Sequence, residues 1–283
     1  MGRLSDEFVA PPLSVLDARQ GYWRERKRRW QDLGLCAVRG RQETLLPVTH
    51  AVPGSYRSGC RDMTPATSVF DPVLAEVLIS WFTAPGGLVL DPFAGGPERG
   101  VVASVLGRRY VGIDVRPEQV DADALFCEAV HGAHAPRYVV GDSAEVAGDV
   151  GDGADMVLAC PPYFQLETYS EDPRDLSAMD DDGFALAYRS VASQCASALR
   201  GGGYAAFVVG DMRDRRGRLK GLPELTCDAM AASGLCLYDR ITYIQPYGTA
   251  PLRAGRQFRA SRKVVGVSEQ VLVFAKPEAR GTA

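Results

Sequence analysis

Several apolar runs of this chain end in side chains that could bind a nucleoside. Asp91 opens the turn Asp91-Pro92-Phe93-Ala94-Gly95-Gly96, Asp114 ends the run 110–114, and Asp142 is followed by Ser143. If these runs are parallel strands, their ends meet at one edge of a sheet, where glycine lets the backbone approach a ligand closely. Asp114 would then accept both hydroxyls of a ribose, and Asp142 with Ser143 would accept an adenine amino group. Each aspartate alone would serve equally well as a helix cap or turn former.

A second motif, Cys160-Pro161-Pro162-Tyr163, follows another apolar run. An exocyclic amino nitrogen is a poor nucleophile, because its lone pair is delocalised into the ring of the base. A catalyst must accept its protons and turn the lone pair towards the reacting carbon. The segment resembles the motif of the DNA amino-methyltransferases, in which the carbonyl of the first proline accepts an amino proton, the prolines stiffen the loop and the aromatic ring stacks on a flipped-out base. The resemblance implies these roles for Pro161, Pro162 and Tyr163.

The residue type at position 160 leaves two interpretations of its chemistry open. A thiol is a weak acceptor, so either the Pro161 carbonyl takes more of the contact or Cys160 is ionised. A covalent mechanism at cytosine C5 also needs a thiolate, but there the cysteine follows the proline. A tight turn with a buried thiol would be the preferred reading of an isolated Cys-Pro-Pro-Tyr.

Strand and helix patterns alternate through the rest of the chain, which predicts βαβ units and a doubly wound, mostly parallel α/β sheet. Seven strands are predicted, at 88–91, 110–114, 138–142, 154–160, 204–210, 235–244 and 271–274. Helices are predicted at 73–82, 100–106, 117–130, 184–199 and 223–233. Ser14 and Asp17 resemble a capping box that opens a helix to Leu33, with Leu16, Trp23, Trp30 and Leu33 as its buried stripe. Residues 1–13 and 35–66 are predicted to be irregular.

Composition limits the other classes of function. The chain has 283 residues and a net charge of −3, and no apolar run approaches the roughly 20 residues of a membrane helix. With no apolar signal-peptide core either, we expect a cytoplasmic protein without membrane contact. Seven cysteines without a Cys-x-x-Cys pair, and histidines only at 50, 131 and 134, argue against a disulfide framework or a metal site.

Residues 64–276 resemble the amino-methyltransferases of DNA, which make N4-methylcytosine or N6-methyladenine. In that family Asp-Pro-Phe-x-Gly, here Asp91–Gly95, binds S-adenosylmethionine (SAM), and a preceding element, here Phe70-Asp71-Pro72-Val73-Leu74, encloses the methionine part. Val271–Lys276, preceded by Glu269, resembles the terminal strand of the family. The resemblance implies a seven-stranded, Rossmann-like methyltransferase sheet with a terminal antiparallel strand, SAM as cofactor and no metal.

The chain departs from the family at two points. The turn of the family usually continues Gly-Ser-Gly-Thr-Thr, whereas here Gly96-Pro97-Glu98-Arg99-Gly100 follows, and Glu98 would repel the carboxylate of SAM unless Arg99 compensates. Cys160 stands where the family has Asp, Asn or Ser. Because cysteine is nearer to serine in size and charge, and Ser-Pro-Pro-Tyr members often act on cytosine, N4 of cytosine is favoured over N6 of adenine.

The expected function is methyl transfer to a base amino nitrogen in double-stranded DNA by a monomer or homodimer. RNA or a free nucleoside as substrate, and an inactive DNA-binding or scaffold protein, are the alternatives. Residues 1–63 are expected to be an N-terminal extension and 64–283 the catalytic domain, with target-contacting loops at 164–183 and 245–266. The residues expected to contact nucleic acid are Phe164, Tyr169, Arg253, Arg256, Arg259 and Arg262.

Overall fold

A computed structural model describes residues 2–35, 69–128, 134–146, 153–164, 169–214 and 216–278. The strands are β1 Val15–Asp17, β2 Leu88–Asp91, β3 Arg109–Asp114, β4 Arg137–Val140, β5 Ala154–Ala159, β6 Leu199–Val209, β7 Cys236–Ile244 and β8 Ser268–Ala275. The helices are α1 Gly2–Phe8, α2 Gly21–Asp32, α3 Pro72–Phe82, α4 Glu98–Val105, α5 Pro117–Glu128, α6 Ser143–Val146, α7 Asp181–Ala198, α8 Leu222–Ala232 and α9 Ala250–Ser261. A single 3-10 turn, Leu176–Ala178, precedes α7.

The strands form one sheet in the order β1-β7-β8-β6-β5-β2-β3-β4. Strand β8 pairs antiparallel with β6 and β7, and every other pairing is parallel. The predicted mostly parallel α/β sheet with an antiparallel terminal strand is therefore confirmed. The predicted number of strands, seven, was too low, because β1 adds an eighth strand at the edge of the sheet beside β7.

The predicted N-terminal helix is wrong in its first turn. Residues 15–17 instead pair with Thr242–Ile244 of β7. The Asp17 carboxylate binds Arg19, at 2.7 Å from Nε, and this bond holds the pKa of Asp17 well below its usual range. With Asp17 used in this way, the helix begins only at Gly21. Leu16 is still buried but in β1, and Leu33 is exposed; the first residues, predicted to be irregular, form α1.

Buried side chains form two clusters, one on each face of the sheet. One contains residues of α2, α3, α4 and α5, and the other contains residues of α7 and α8. Helix α3 is buried over most of its length because its sequence, Pro-Val-Leu-Ala-Glu-Val-Leu-Ile, is almost wholly apolar. This packing fixes the direction of the strand ends that carry the candidate site.

Two carboxylates on the α3 side tie the N-terminal segment to the sheet. Asp71 caps α3 through Val73 N (2.9 Å) and also accepts from Lys27 (2.8 Å) and from the hydroxyl of Tyr243 (3.1 Å). Glu76 accepts from Arg26 at 2.6 Å and from the indole of Trp30 at 2.8 Å. Part of the basic stretch 24–29 therefore forms ion pairs inside the protein, while Arg24 and Arg28 are exposed.

The connection between β7 and β8 differs from the irregular hairpin loop expected at 245–266. It contains α9, which begins after Thr249 and ends at Arg262, a residue in the left-handed region at φ 57°. Most of its side chains are exposed. Within the described ranges, no helix is long and apolar enough to cross a membrane.

Candidate active site

The candidate site lies where the order of the sheet reverses. From β2 the chain continues to β3 and β4 on one side and then returns to β5 on the other side of β2. The turn after β2 and the Cys-Pro-Pro-Tyr segment after β5 therefore start at neighbouring carboxyl ends. Ligands of open α/β sheets bind in the crevice at such a switch point. The two motifs are thus brought together by the topology of the sheet.

Asp91 supports the cofactor turn from inside. Its carboxylate is fully buried and accepts from Phe93 N at 3.0 Å, from the hydroxyl of Tyr110 at 2.7 Å and from Arg99 Nε. With these partners the side chain holds the turn from inside, and a contact between Asp91 and the cofactor stays a prediction. Pro92 and Ala94 are also buried, so Phe93 and Gly95 are the more accessible residues of the turn.

Arg99 is the residue that the sequence analysis underestimated. Its guanidinium forms a buried ion pair with Asp91, donates to the carbonyls of Phe93 and Ala94, and lies 4.6 Å from the ring centre of Phe70. Burial is the largest single influence and would lower the pKa of Arg99, but the charge and hydrogen bond of Asp91, together with Tyr110 and Cys160, outweigh it and raise the pKa. Arg99 thus compensates Asp91 and joins the turn to the Phe70 element. The departure from the Gly-Ser-Gly-Thr-Thr pattern was the signal that pointed to it.

The two acids expected to bind the nucleoside lie on neighbouring strands. Asp114 Oδ2 accepts from Gly95 N at 3.0 Å, and its Oδ1 accepts from Arg116 N at 2.9 Å. Asp114 pairs in register with Val140, two residues before Asp142, which caps Ala144 N at 2.8 Å. Both carboxylates are partly exposed. Since an ionised carboxylate has about four acceptor positions, each retains capacity for a ligand.

Ser143 has a structural partner instead of an open face. Its hydroxyl is buried and donates to the carbonyl of Pro92 at 2.5 Å. It therefore ties the segment after β4 to the cofactor turn, and a direct contact between Ser143 and adenine stays a prediction. Asp142 remains the accessible member of this pair.

Two glycines shape the floor beneath this crevice. Gly95 has φ +56°, a conformation that side chains other than glycine rarely adopt. A Cβ on Gly112 of β3 would lie 2.8 Å from the Cβ of Ala94. The turn therefore packs directly on β3, and its backbone is open to a ligand at Gly95. An exposed backbone turn with a carboxylate on each of the next two strands fits a nucleoside-containing cofactor.

The Cys-Pro-Pro-Tyr segment is tied to the last strand through its tyrosine. The Tyr163 hydroxyl donates to Glu269 Oε1 of β8 at 2.8 Å, and burial raises the pKa of both groups. A Cβ on Gly210 would lie 3.0 Å from Tyr163 Cε2, so the ring rests on the backbone that follows β6. Pro161 is buried, whereas Cys160, Pro162 and Tyr163 are partly exposed. Cys160 is among the charges that raise the pKa of Arg99, which couples the thiol electrostatically to the cofactor turn.

Phe164 does not lie where the sequence analysis expected it. Its ring is 4% exposed and stacks on Phe184 of α7 at 4.2 Å, so it is a core residue and not the wall of an open base pocket. The next four residues of the 164–183 segment, 165–168, lie outside the described residues. Tyr169 is partly exposed, its amide donates to Ser177 Oγ at 3.0 Å, and its charge influences Tyr163. Tyr169 therefore remains a candidate for the base pocket.

The four arginines of the late segment are all exposed, as a phosphate-binding role requires. Arg253, Arg256 and Arg259 lie on α9, and Arg262 follows it directly. Strand β7 runs parallel to β6, because both are antiparallel to β8. Helix α9 therefore begins at the same edge of the sheet as the cofactor turn and the Cys-Pro-Pro-Tyr segment.

A buried acid lies behind the Asp114 end of the site. Asp123 of α5 is 1% exposed; its Oδ1 accepts from Gln119 at 2.8 Å, and its Oδ2 has no hydrogen-bond partner among the described residues. Burial raises its pKa to about 7, supported by the negative charges of Glu98 and Asp114 and opposed by Arg116. Across the described ranges, no group of three or more His, Cys, Asp or Glu side chains could hold a metal ion; Cys36, Cys60, His50 and His131 lie outside them.

Comparison with known proteins identifies the cofactor half of the site. Residues 58–125 match the family model described as "DNA methylase" for N6 and N4 methyltransferases. A stretch of 45 residues, 16% of the chain, is 49% identical to the type II methyltransferase M2.DpnII of Streptococcus pneumoniae. Over this part of the chain the sequence is therefore similar to the DNA amino-methyltransferases. The match spans only 17% of the length of M2.DpnII.

Solved structures show the same fold at low sequence identity. TrmN from Thermus thermophilus is 19% identical with a TM-score of 0.51, over 73% of this chain and 49% of that chain. The [4+2]-cyclase SpnF is 16% identical with a TM-score of 0.51, over 74% of this chain and 82% of that chain. Because one of the two is named as a cyclase, the fold does not specify a reaction, and any argument about chemistry depends on the site.

Proposed function

We propose that this protein transfers a methyl group from SAM to an exocyclic amino nitrogen of a base in DNA, with the base flipped out of the helix. The observation that carries the proposal is the meeting of the two motifs at the switch point, with the family's cofactor turn after β2 and an amino-binding Cys-Pro-Pro-Tyr segment after β5. Neither motif alone would define the reaction. The cofactor turn beside the Cys-Pro-Pro-Tyr segment, here called the clamp, does.

The chain's own residues suit SAM in this crevice. Asp114 would bind the ribose hydroxyls, Asp142 would accept the adenine amino group, and the backbone at Gly95 would lie along the cofactor. Phe70, held under Arg99, would cover the methionine end together with Pro72. When bound, SAM supplies an electrophilic methyl group on a sulfonium.

The Cys-Pro-Pro-Tyr segment would hold the base against that methyl group. The Pro161 carbonyl and the Cys160 sulfur would accept the two amino protons, which localises the nitrogen lone pair. Tyr163, fixed by Glu269 and by the backbone at Gly210, would stack on the base. The buried positive charge of Arg99 would stabilise a Cys160 thiolate. The substitutions of Cys160 described below therefore distinguish a thiol from a thiolate.

Cytosine N4 is the favoured target atom, because cysteine is nearer to serine than to aspartate in size and charge. The deciding experiment is mass spectrometry of nucleosides digested from DNA that has been incubated with the enzyme and SAM. N4-methylcytosine is the expected product, N6-methyladenine would overturn the choice of base, and 5-methylcytosine would overturn the mechanism. RNA and free nucleosides incubated in parallel test the alternative substrates, and absence of transfer to all three favours an inactive binding protein.

Substitution of Cys160 separates its two roles. If the thiol only replaces a hydroxyl acceptor, Cys160→Ser should retain activity. Cys160→Ala should then lose less than the roughly 10²–10³-fold typical of deleting a strong transition-state hydrogen bond. A thiolate or covalent role predicts an inactive Cys160→Ser enzyme. SAM-binding calorimetry on both variants checks that each still binds its cofactor.

The domain division is proposed with one modification. Residues 64–283 would form the catalytic domain, and the N-terminal extension 1–63 would brace its cofactor element, since Lys27 and Trp23 bind Asp71 of the Phe70-Asp71-Pro72 element. The boundary itself lies outside the described residues. The segment 245–266 would contact the DNA backbone through the arginines of α9 and Arg262.

A further inference from the structure

A second basic element lies beside α9, in a segment that sequence analysis did not assign. Residues 211–220, here called the basic turn, contain five basic and two acidic residues, and residues 245–267 contain five basic and no acidic residue. The basic turn follows β6 and α9 follows β7, and these two strands are parallel. Both elements therefore leave the sheet at its carboxyl edge, the edge that carries the candidate site.

The basic turn has a defined shape. Arg213 and Leu219 form an isolated antiparallel bridge, and the backbone bonds Asp214 N to Arg218 O, Gly217 N to Asp214 O and Lys220 N to Met212 O are each 2.8 Å. Arg213, Arg216 and Arg218 are exposed. Within the described part of the chain, Arg218 is the one of these three that forms an ion pair, with Asp214 at 3.0 Å, and its side chain stays 71% exposed. These three arginines are thus presented to solvent.

Contacts at both ends make the basic turn a bridge between the clamp and α9. A Cβ on Gly217 would fall 1.7 Å from Lys263 Nζ, so the lysine just after α9 lies on the turn. Lys220 Nζ lies 4.3 Å from the ring centre of Phe164, the residue that follows Tyr163. Gly210, which supports the Tyr163 ring, immediately precedes the turn. Through these contacts the basic turn packs against both the end of the Cys-Pro-Pro-Tyr segment and α9, and Lys220 also forms an ion pair with Asp181.

The segment that follows the clamp, residues 164–183, carries the opposite charge, with seven acidic residues and one basic residue. Asp181 of this segment pairs with Lys220 at the end of the basic turn, whereas Arg213 and Arg216 are exposed. A polyanion is repelled by the acidic side chains and attracted to the exposed arginines. A base held against Tyr163 would then place its flanking phosphates within reach of the basic turn first and of α9 beyond it.

We propose that the basic turn and α9 form one phosphate-binding surface for the backbone of duplex DNA, with Arg213, Arg216 and Arg218 as its contacts nearest to the clamp. The proposal deepens the function given above and rests on it for the choice of DNA as ligand. Phosphate contacts position a nucleic acid without reading its sequence. Each one releases counterions, so it is measured by the dependence of affinity on salt.

The test is fluorescence anisotropy of a labelled duplex of arbitrary sequence across a salt series, without SAM. Replacing Arg213, Arg216 and Arg218 together by Gln should lower the slope of log affinity against log salt by about 2 to 3, since each phosphate contact contributes about 0.9. The matched control is Arg109→Gln with Arg137→Gln, two exposed arginines that begin β3 and β4 at the opposite edge of the sheet. This control should keep the wild-type slope.

A single variant separates charge from folding of the turn. Arg213 donates to Gly217 O at 2.9 Å and Arg218 binds Asp214, but Arg216→Gln leaves these bonds in place. It should lower the slope by about 0.9. A wild-type slope in both the triple and the single variant overturns the inference, as does an equal loss in the control pair. Tight, salt-dependent binding of single-stranded RNA in place of duplex DNA would overturn the choice of partner.

The binding assay and the transfer assay fail independently. If the triple variant keeps the wild-type salt slope while the wild type methylates DNA, the basic turn is wrongly assigned and the proposed function stands. If the slope falls as expected but no methyl group reaches DNA, the surface stands and the proposed function fails. Wild-type protein that binds no nucleic acid at all overturns both.

Discussion

Charged side chains are buried on one side of the carboxyl edge of the sheet, near β2, and exposed on the other side, near β6 and β7. On the cofactor side, Arg99 and Asp91 are both buried, and their charges are used inside the protein. On the side of β6 and β7, Arg213 and Arg216 of the basic turn and the arginines of α9 are exposed. The difference teaches that the buried charges beside β2 organise the backbone of the turn, whereas the charges near β6 and β7 face solvent, as the proposed phosphate contacts require.

The largest expected effect comes where the two sides meet, at Tyr163. Replacing it by Ala should abolish methyl transfer and leave SAM affinity unchanged, because the ring belongs to the base pocket. Tyr163→Phe keeps the ring and loses only the bond to Glu269, so it should lower activity by about tenfold, which corresponds to roughly 1.4 kcal/mol. Transfer assays with SAM calorimetry measure both. A fully active Tyr163→Ala enzyme would rule out stacking on a flipped base.

On the cofactor side, the comparison predicts a large loss of stability from Arg99→Met. Removing one partner of a buried ion pair leaves an uncompensated charge and typically costs about 3–5 kcal/mol. Arg29→Met breaks the exposed pair with Glu25 and should change the free energy of unfolding by less than about 1 kcal/mol. Urea unfolding of the two variants compares them directly. Equal, small losses would mean that the buried pair is not what organises the turn.

A smaller effect is expected at the ribose-binding position. Asp114→Ala should weaken SAM binding by about 10- to 100-fold, the range for a lost hydrogen bond to a charged group. Asp121→Ala, on the exposed face of α5, is the matched control and should bind SAM normally. Calorimetry gives both dissociation constants. Unchanged affinity in Asp114→Ala would remove this residue from the site.

The last prediction concerns the dependence of stability on pH and tests whether the buried carboxyl group of Asp123 is protonated in the folded protein. Its pKa in the folded protein is about 7, against an ordinary value of 3.8. Between these values the unfolded chain loses the proton and the folded protein keeps it, so wild-type stability falls as pH rises through this window and then levels off. Asp123→Asn keeps an acceptor for Gln119 and does not titrate.

The measurement is the free energy of unfolding of wild type and Asp123→Asn at a series of pH values. The wild type should lose stability relative to the variant between about pH 4 and pH 7, with little further change above that range. Parallel curves for the two proteins would show that Asp123 titrates normally and is not a buried, uncompensated acid.

Much of the fold could be predicted, because strands and helices longer than one turn carry a clear apolar period. Strands β2 to β8 and their order along the chain follow from that pattern. Short or polar elements did not: β1 has three residues, α1 seven, and α9 is rich in arginine. Their states depend on partners distant in the chain, such as β7 for β1.

The sequence by itself determined the motifs of the site, since Asp91–Gly96 and Cys160–Tyr163 are local patterns whose chemistry follows from residue type. Only the tertiary structure decided which side chains face the crevice. Asp91, Ser143 and Phe164 are buried by partners that lie far away in sequence, namely Tyr110, Pro92 and Phe184. It also joined the basic turn to α9, because parallel strands bring distant segments to one edge and periodicity carries no information about strand order.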